Sequence, residues 1–368
     1  MDAKSSWKWV AALALPCAVV AITLCGPVHG NAPVDSRFAQ EFIELNRGLD
    51  DDATSVAYDP QSKILAVGRE SGRLEIWNTR KRDSRLARQA HANRIGHIAI
   101  GPEDGIVLTT SAGTTMWNLD PQASPKVWDA RSGELLAALP GDWVGGPVVA
   151  SPIKGYYVIA SADELRLYDH ARRAVVGNSI RFKGEVTALG ADRKSGLIAA
   201  GSSRGELKLL KLDDGGVFPQ LHVVGGAVTY ELESRTDVLA VMLRNQGKQL
   251  VTVNWLPKRM RGDKAPNIAG QQAEVVQWDT RTWRRERSYP FTLQAVHWAS
   301  YTPGEPWLVL AGNESRRGRV ELIDLQGGIA WRYKANTTHP VAVLLPDIRT
   351  GLILQSGRAT RIRYLDQE

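Results

Sequence analysis

The chain has 368 residues, of which 43% are hydrophobic and 23% are charged, and this is the ordinary composition of a packed globular protein. That length suits one large all-β domain or two domains of average size. The formal net charge of +7 is modest for so large a surface, and it excludes the dense basic footprint of a nucleic-acid-binding protein.

The first thirty residues have the layout of a secretory signal peptide. Lys4 and Lys8 form a short basic start, and an uncharged stretch from Val10 to Val28 follows. The stretch is nearly long enough to span a bilayer, so an uncleaved membrane anchor is the alternative. Proline and glycine residues within it break a spanning helix and favour cleavage. We therefore expect residues 1–30 to be a signal peptide and residues 31–368 to be an exported domain.

Both cysteines of the chain, Cys17 and Cys25, lie in this leading segment. A cleaved product would therefore contain no disulfide, no thiolate nucleophile and no cysteine-based metal site. The signal layout and the lack of cysteine predict a periplasmic protein. The alternative is a protein anchored in the inner membrane and facing the periplasm, and only then would a membrane be one of its partners.

One sequence unit recurs through the rest of the chain. A short apolar run leads into small residues and a turn, and an alternating strand follows, as where Leu74 and Ile76 alternate with Arg73 and Glu75. In chain order, the apolar runs begin at Ile64, Ile106, Tyr157, Leu197, Val238, Leu308 and Leu352. Most starts lie about 40 to 50 residues apart, which is the period of a four-stranded propeller blade.

The repeat predicts an all-β fold with a single β-propeller, and seven four-stranded blades are expected, with six or eight as alternatives. No ten-residue helical pattern separates the strands, and this argues against an α/β fold. The last unit ends near Asp366 and lacks a fourth strand. We expect the segment from Arg37 to Leu45 to supply it and so to close the ring. The alternative is a short amphipathic helix that uses Phe38, Phe42 and Leu45.

An aromatic residue followed by an acid closes the third strand of several units, at Trp128-Asp129, Tyr168-Asp169 and Trp278-Asp279. In these dipeptides the chain resembles the WD-repeat family and related bacterial propellers. The Gly-His pair of that family is mostly absent, although His91 falls where its histidine would lie. The resemblance therefore implies a degenerate member, in which most blades lack the hydrogen-bond network of a regular WD repeat.

The pattern is interrupted by an insertion at about 245–272, which we place between the second and third strands of one blade. This loop is expected on the face of a propeller that usually binds partners. A tryptophan beside four basic residues suits an anionic or amphipathic partner. The predicted partner-binding residues are Trp255, Lys258, Arg259, Arg261 and Lys264, together with Trp143 in a turn between two blades. The alternative is a solvated insertion with no binding role.

No HExxH motif, nucleophile elbow or Walker loop is present in the sequence, so no catalytic, cofactor or metal residue is predicted. The favoured function is a non-catalytic periplasmic scaffold that docks another protein of the cell envelope on one propeller face. A propeller enzyme of the lactonase or dehydrogenase type is the first alternative, and it requires His, Arg and carboxylate groups that converge in a central pocket. A periplasmic sensor of a ligand or glycan is the second.

Overall fold

The protein is represented by a computed structural model. It describes residues 38–47, 51–79, 83–101, 105–111, 124–139, 145–213, 215, 219–224, 230–231, 237–255, 273–301, 306–314, 317–334, 341–345, 350–355 and 359–367. The predicted signal segment lies outside these residues. Every regular element within them is a β-strand, and within these ranges no helix has the length and hydropathy of a membrane span.

The strands follow one another along the chain. In chain order they are β1 (Phe38–Arg47), β2 (Ala53–Asp59), β3 (Ile64–Arg69), β4 (Arg73–Asn78), β5 (Asp83–Gln89), β6 (Ile95–Ile100), β7 (Ile106–Ser111), β8 (Lys126–Asp129), β9 (Leu135–Ala138), β10 (Val148–Ala150), β11 (Tyr156–Ser161), β12 (Glu164–Asp169), β13 (Ala174–Arg181), β14 (Val186–Asp192), β15 (Leu197–Ser202), β16 (Glu206–Asp213), β17 (Gln220–Val223), β18 (Tyr230–Glu231), β19 (Asp237–Arg244), β20 (Gln249–Trp255), β21 (Ala273–Asp279), β22 (Arg285–Tyr289), β23 (Ala295–Tyr301), β24 (Trp307–Glu314), β25 (Arg317–Asp324), β26 (Gly328–Lys334), β27 (Val341–Leu345), β28 (Thr350–Gln355) and β29 (Ala359–Gln367).

The strands hydrogen-bond into antiparallel sheets. Six sheets consist of consecutive strands, and one of these also carries the short strand β18. A further sheet has the order β1-β29-β28-β27, in which β1 pairs with β29 from Phe38 opposite Gln367 to Arg47 opposite Ala359. The first strands of successive sheets contact one another. The prediction of an all-β propeller is therefore confirmed, and the helical alternative for the segment around Phe42 is wrong.

The hydrophobic core lies between neighbouring sheets. One cluster joins Ala66 and Ile76 of the β2–β5 sheet to Ile95 and Trp128 of the β6–β9 sheet. The sheets approach so closely that a Cβ atom added at Gly68 would lie 2.6 Å from the Cβ atom of Ile95. This packing explains why a small residue follows each apolar run, because a larger side chain would force two sheets apart.

The predicted insertion is shorter than the sequence indicated. Val238 does not begin a second strand, because it belongs to the innermost strand β19. Residues 245–248 form the turn after that strand, and β20 continues to Trp255, opposite Asp237. Residues 245–255 are thus regular propeller structure, and the rest of the insertion, 256–272, lies outside the described residues. The sequence was misleading because an innermost strand packed between two neighbours is as apolar as a second strand.

Candidate functional site

A central channel runs between the innermost strands β2, β6, β10, β14, β19 and β23. It contains two cavities of about 520 Å³ and about 690 Å³. The first cavity opens where the innermost strands begin, near Thr54, Arg94 and His297, and we name that end the start face. The second opens where these strands run into hairpin turns, near Gln61 and Lys194, and we name that end the turn face.

A β-bulge recurs near the beginning of five innermost strands. In each strand the pairing register skips one residue, and the five residues are Thr54, Gly96, Thr187, Leu239 and His297. All five line the cavity at the start face. A bulge redirects a side chain that regular pairing would point along the sheet face. The bulges therefore determine which residues a ligand in the channel would contact.

Two of the bulge residues also connect neighbouring sheets. The hydroxyl of Thr54 donates to the carbonyl oxygen of Ile95 at 2.7 Å. The hydroxyl of Thr187 donates to the carbonyl oxygen of Val238 at 2.6 Å. Ile95 and Val238 both lie at the beginning of the innermost strand of the next sheet. Each threonine therefore connects two neighbouring sheets and has a structural role in the channel wall.

The polar side chains that line the cavity at the start face are basic or neutral. Arg94 and His297 are exposed at the mouth of the channel, and His97 lines the cavity beneath them. Burial lowers the pKa of His97 to about 4, and the positive charge of Arg94 adds to this effect. His97 is thus neutral at physiological pH. No carboxylate is among the described residues that line this cavity, so the mouth offers one cation and two imidazole rings to an anionic group.

Two contacts join non-neighbouring sheets at the other end of the channel. The hydroxyl of Tyr301 on β23 donates to the carbonyl oxygen of Ala191 on β14 at 3.4 Å. Burial raises the pKa of Tyr301, and the nearby Asp192 carboxylate raises it further. The guanidinium of Arg193 donates to the side-chain carbonyl of Gln61 at 3.1 Å. These bonds brace the channel wall at the turn face.

His91 lies in a buried hydrogen-bond network. Its Nε2 atom is 2.9 Å from the hydroxyl of Thr109, and the indole N–H of Trp128 donates to the same hydroxyl at 3.0 Å. Trp278 donates in the same way to Thr252 at 3.0 Å, in another sheet. These contacts connect the loop before a sheet to its second and third strands, so they hold the sheet together and do not face the channel.

Of the site residues predicted from the sequence, the structure describes one, Trp255. Trp255 ends β20 opposite Asp237, so it lies at the start face, where it is partly buried. Trp143, Lys258, Arg259, Arg261 and Lys264 lie outside the described residues. Leu139 and Gly145, which flank the segment of Trp143, are also at strand ends of the start face.

Sequence reasoning missed Arg94, His97 and His297. No short motif contains them, because they come from two sheets and are separated by about two hundred residues of chain. The sequence indicated them only by placing polar residues at the beginning of innermost strands that are otherwise apolar.

Within the described ranges, no group of three or more His, Cys, Asp or Glu side chains is placed to hold a metal ion. The chain matches no protein-family model and no curated protein. The fold therefore assigns this protein to the β-propellers, and these comparisons assign it to no narrower family.

Proposed function

We propose that this protein is a non-catalytic binding module of the cell envelope, and that its start face docks another protein. One observation carries the proposal: Arg94, His97 and His297 converge on a channel mouth that has no carboxylate among its described lining residues. An acidic side chain or a chain terminus of the partner would find a cation and imidazole N–H groups there, above apolar walls.

The proposal assumes a closed ring of seven four-stranded blades. The hydrogen-bonded sheets support this count, since β27 contacts both β23 and β2 and β1 supplies an outer strand beside β29. A closed ring is a rigid platform with protected sheet edges, as a docking surface requires. The His91–Thr109–Trp128 hydrogen bonds support a relationship to the WD-repeat propellers.

The envelope location follows from the sequence of the first thirty residues. A basic start and an uncharged stretch support export to the periplasm, with anchoring in the inner membrane as the alternative. Either arrangement places the propeller outside the cytoplasm, where its partner would be another envelope protein.

The position of the carboxylates that line the channel favours binding over catalysis. Asp59 and Asp192 lie at the turn face, where they accept backbone N–H groups, that of Ser62 at 2.8 Å and that of Lys194 at 3.2 Å. They therefore lie at the opposite end of the innermost strands from His297. Acid–base chemistry needs such groups within hydrogen-bond reach of one substrate.

A comparative pull-down from envelope extract tests the proposal. The wild-type chain is compared with an Arg94→Gln, His297→Gln double variant and with a chain that lacks residues 257–270. The control is an Arg284→Gln, His222→Gln double variant, which changes one exposed arginine in the turn before β22 and one exposed histidine on β17.

We expect one set of proteins to be captured by the wild type and the control and to be depleted about tenfold by both start-face variants. Equal capture by all four proteins, or an equal loss in the control, would contradict docking at the start face. Circular dichroism of each variant establishes that the fold is retained.

A further inference from the structure

The turn face carries a series of aspartates whose carboxylates are engaged within their own hairpins. Asp129 accepts the backbone N–H groups of Arg131 and Ser132 at 2.7 and 2.8 Å. This is the Asx-turn arrangement, in which a carboxylate closes a turn by accepting backbone N–H groups. The same arrangement occurs at Asp59, Asp192 and Asp279.

The residues at the tips of these turns are cations. Arg131, Lys194 and Arg281 each lie two residues after one of these aspartates. Arg173 and Lys248 occupy the tips of two other hairpins. All five side chains are exposed. Because backbone N–H groups engage the carboxylates while the cations are exposed at the turn tips, the described side chains that extend furthest from this face are positive.

Exposed acids are few on the turn face, and most of them are occupied. Among the described residues they are Glu134, Asp213 and Glu286. Asp213 accepts the backbone N–H of Gly215 at 3.0 Å, and Glu286 accepts the side-chain amides of Gln249 and Gln277 at 2.9 and 2.7 Å. Among the described residues, the exposed cations at the turn tips therefore outnumber the exposed acids of this face.

The start face has a different distribution of charge. Several of its cations are paired with glutamates, as where Arg166 contacts Glu164 and Lys208 contacts Glu206, both at 3.0 Å. Exposed acids lie among them, at Asp52, Glu70 and Glu185. The two ends of the same propeller thus differ in their outward charge.

The chain also reaches the propeller from the turn face. Phe38, the first residue of β1, lies opposite Gln367 at the end of β29, and third strands end at the turn face. The uncharged stretch from Val10 to Val28 precedes this point in the sequence. The first strand, β1, therefore begins at the turn face.

We propose that the turn face lies against the surface of an anionic lipid bilayer. Lysine and arginine near such a surface each strengthen binding by about fivefold, and the attraction falls off within a Debye length, so exposed turn tips are the effective positions. This orientation leaves the start face pointing away from the membrane. The inference goes beyond the proposed docking function and does not depend on it, since it concerns the opposite face.

Vesicle co-sedimentation of the full chain tests this inference. The two vesicle types are pure phosphatidylcholine and phosphatidylcholine with about one third phosphatidylglycerol, at low and at physiological ionic strength. Both vesicle types have the same apolar interior, so the ratio of the two affinities isolates the electrostatic part. The turn-face variant carries Arg131→Gln, Arg173→Gln, Lys194→Gln and Lys248→Gln.

The matched control removes the same charge from the start face. It carries four substitutions of exposed cations to glutamine, at Arg88, Arg204, Arg317 and Lys334. We expect the wild type to prefer anionic vesicles, with a preference that falls as salt rises. The turn-face variant should lose at least about tenfold of this preference, and the control should stay within about threefold of the wild type.

Equal binding of the wild type to both vesicle types would overturn the inference, as would an equal loss in the control, because net charge alone would then explain the binding. Binding to soluble heparin without any preference for anionic vesicles would assign the face to a polyanion instead. The turn-face variant should still capture the start-face partners in the pull-down, so the failure of one proposal is distinguishable from the failure of the other.

Discussion

The hydroxyl of Tyr301 donates a hydrogen bond to the carbonyl oxygen of Ala191, and this bond joins β23 to β14 although their sheets are not neighbours. Such a bond resists the separation of β14 from β23, which the packing of adjacent sheets does not do directly. The channel wall is therefore held by contacts between adjacent sheets and also by a contact between sheets that are not adjacent.

Removing the Tyr301 hydroxyl should weaken the propeller slightly. Tyr301→Phe keeps the ring and loses one long hydrogen bond, so we expect the free energy of unfolding to fall by about 0.5–1 kcal/mol. Urea denaturation of the variant and the wild type measures this difference. A more stable variant would show that the bond across the channel contributes nothing to the fold.

The stability of the protein should depend on the protonation of His97. The pKa of His97 is about 4 in the folded chain and about 6.5 when the chain is unfolded. The unfolded state thus binds a proton at a higher pH than the folded state does. Stability is complete above pH 6.5 and falls as the pH drops towards 4, by up to about 3 kcal/mol.

The matching measurement is urea unfolding at pH 7 and at pH 4.5 for the wild type, for His97→Gln and for His222→Gln. His222 is exposed on β17 and serves as the control. We expect His97→Gln to flatten the pH dependence and His222→Gln to leave it in place. If both variants keep the slope of the wild type, another group is responsible for it.

Breaking the buried ion pair of Arg69 and Glu75 should be costly. The guanidinium of Arg69 lies 2.7 Å from the carboxylate of Glu75, and both side chains are 2% exposed. Glu75→Gln leaves a buried charge without its counter-charge, so we expect a loss of about 3–5 kcal/mol in the free energy of unfolding. Thermal and urea unfolding measure it.

Two further variants distinguish the pair from its surroundings. Arg73 lies 3.7 Å from Glu75 but is 35% exposed, so Arg73→Gln should cost no more than about 1 kcal/mol. Replacing both members of the pair, as Arg69→Met with Glu75→Leu, should recover most of the lost stability. A double variant as unstable as Glu75→Gln would contradict this account of the pair.

The amino-acid sequence alone determined the all-β class and the repeating sheet. Alternation, as at Leu74 and Ile76, requires a strand because successive side chains in a strand point to opposite faces. The small residues after each apolar run indicated that the sheets pack closely, as Gly68 does against Ile95. The strand around Phe42 was also predictable, because the last unit lacked a partner. These features can be read from the sequence because they depend on residues that are close together in the chain.

Only the tertiary structure decided where the channel lies and which residues face it. Arg94, His97 and His297 approach one mouth because separate sheets bring them there and because a one-residue bulge redirects two of the strands. The same is true of the turn face, where separate hairpins bring exposed arginine and lysine side chains to one end of the sheets. Spatial convergence of distant residues leaves no local period, since it is set by how the sheets pack around the ring.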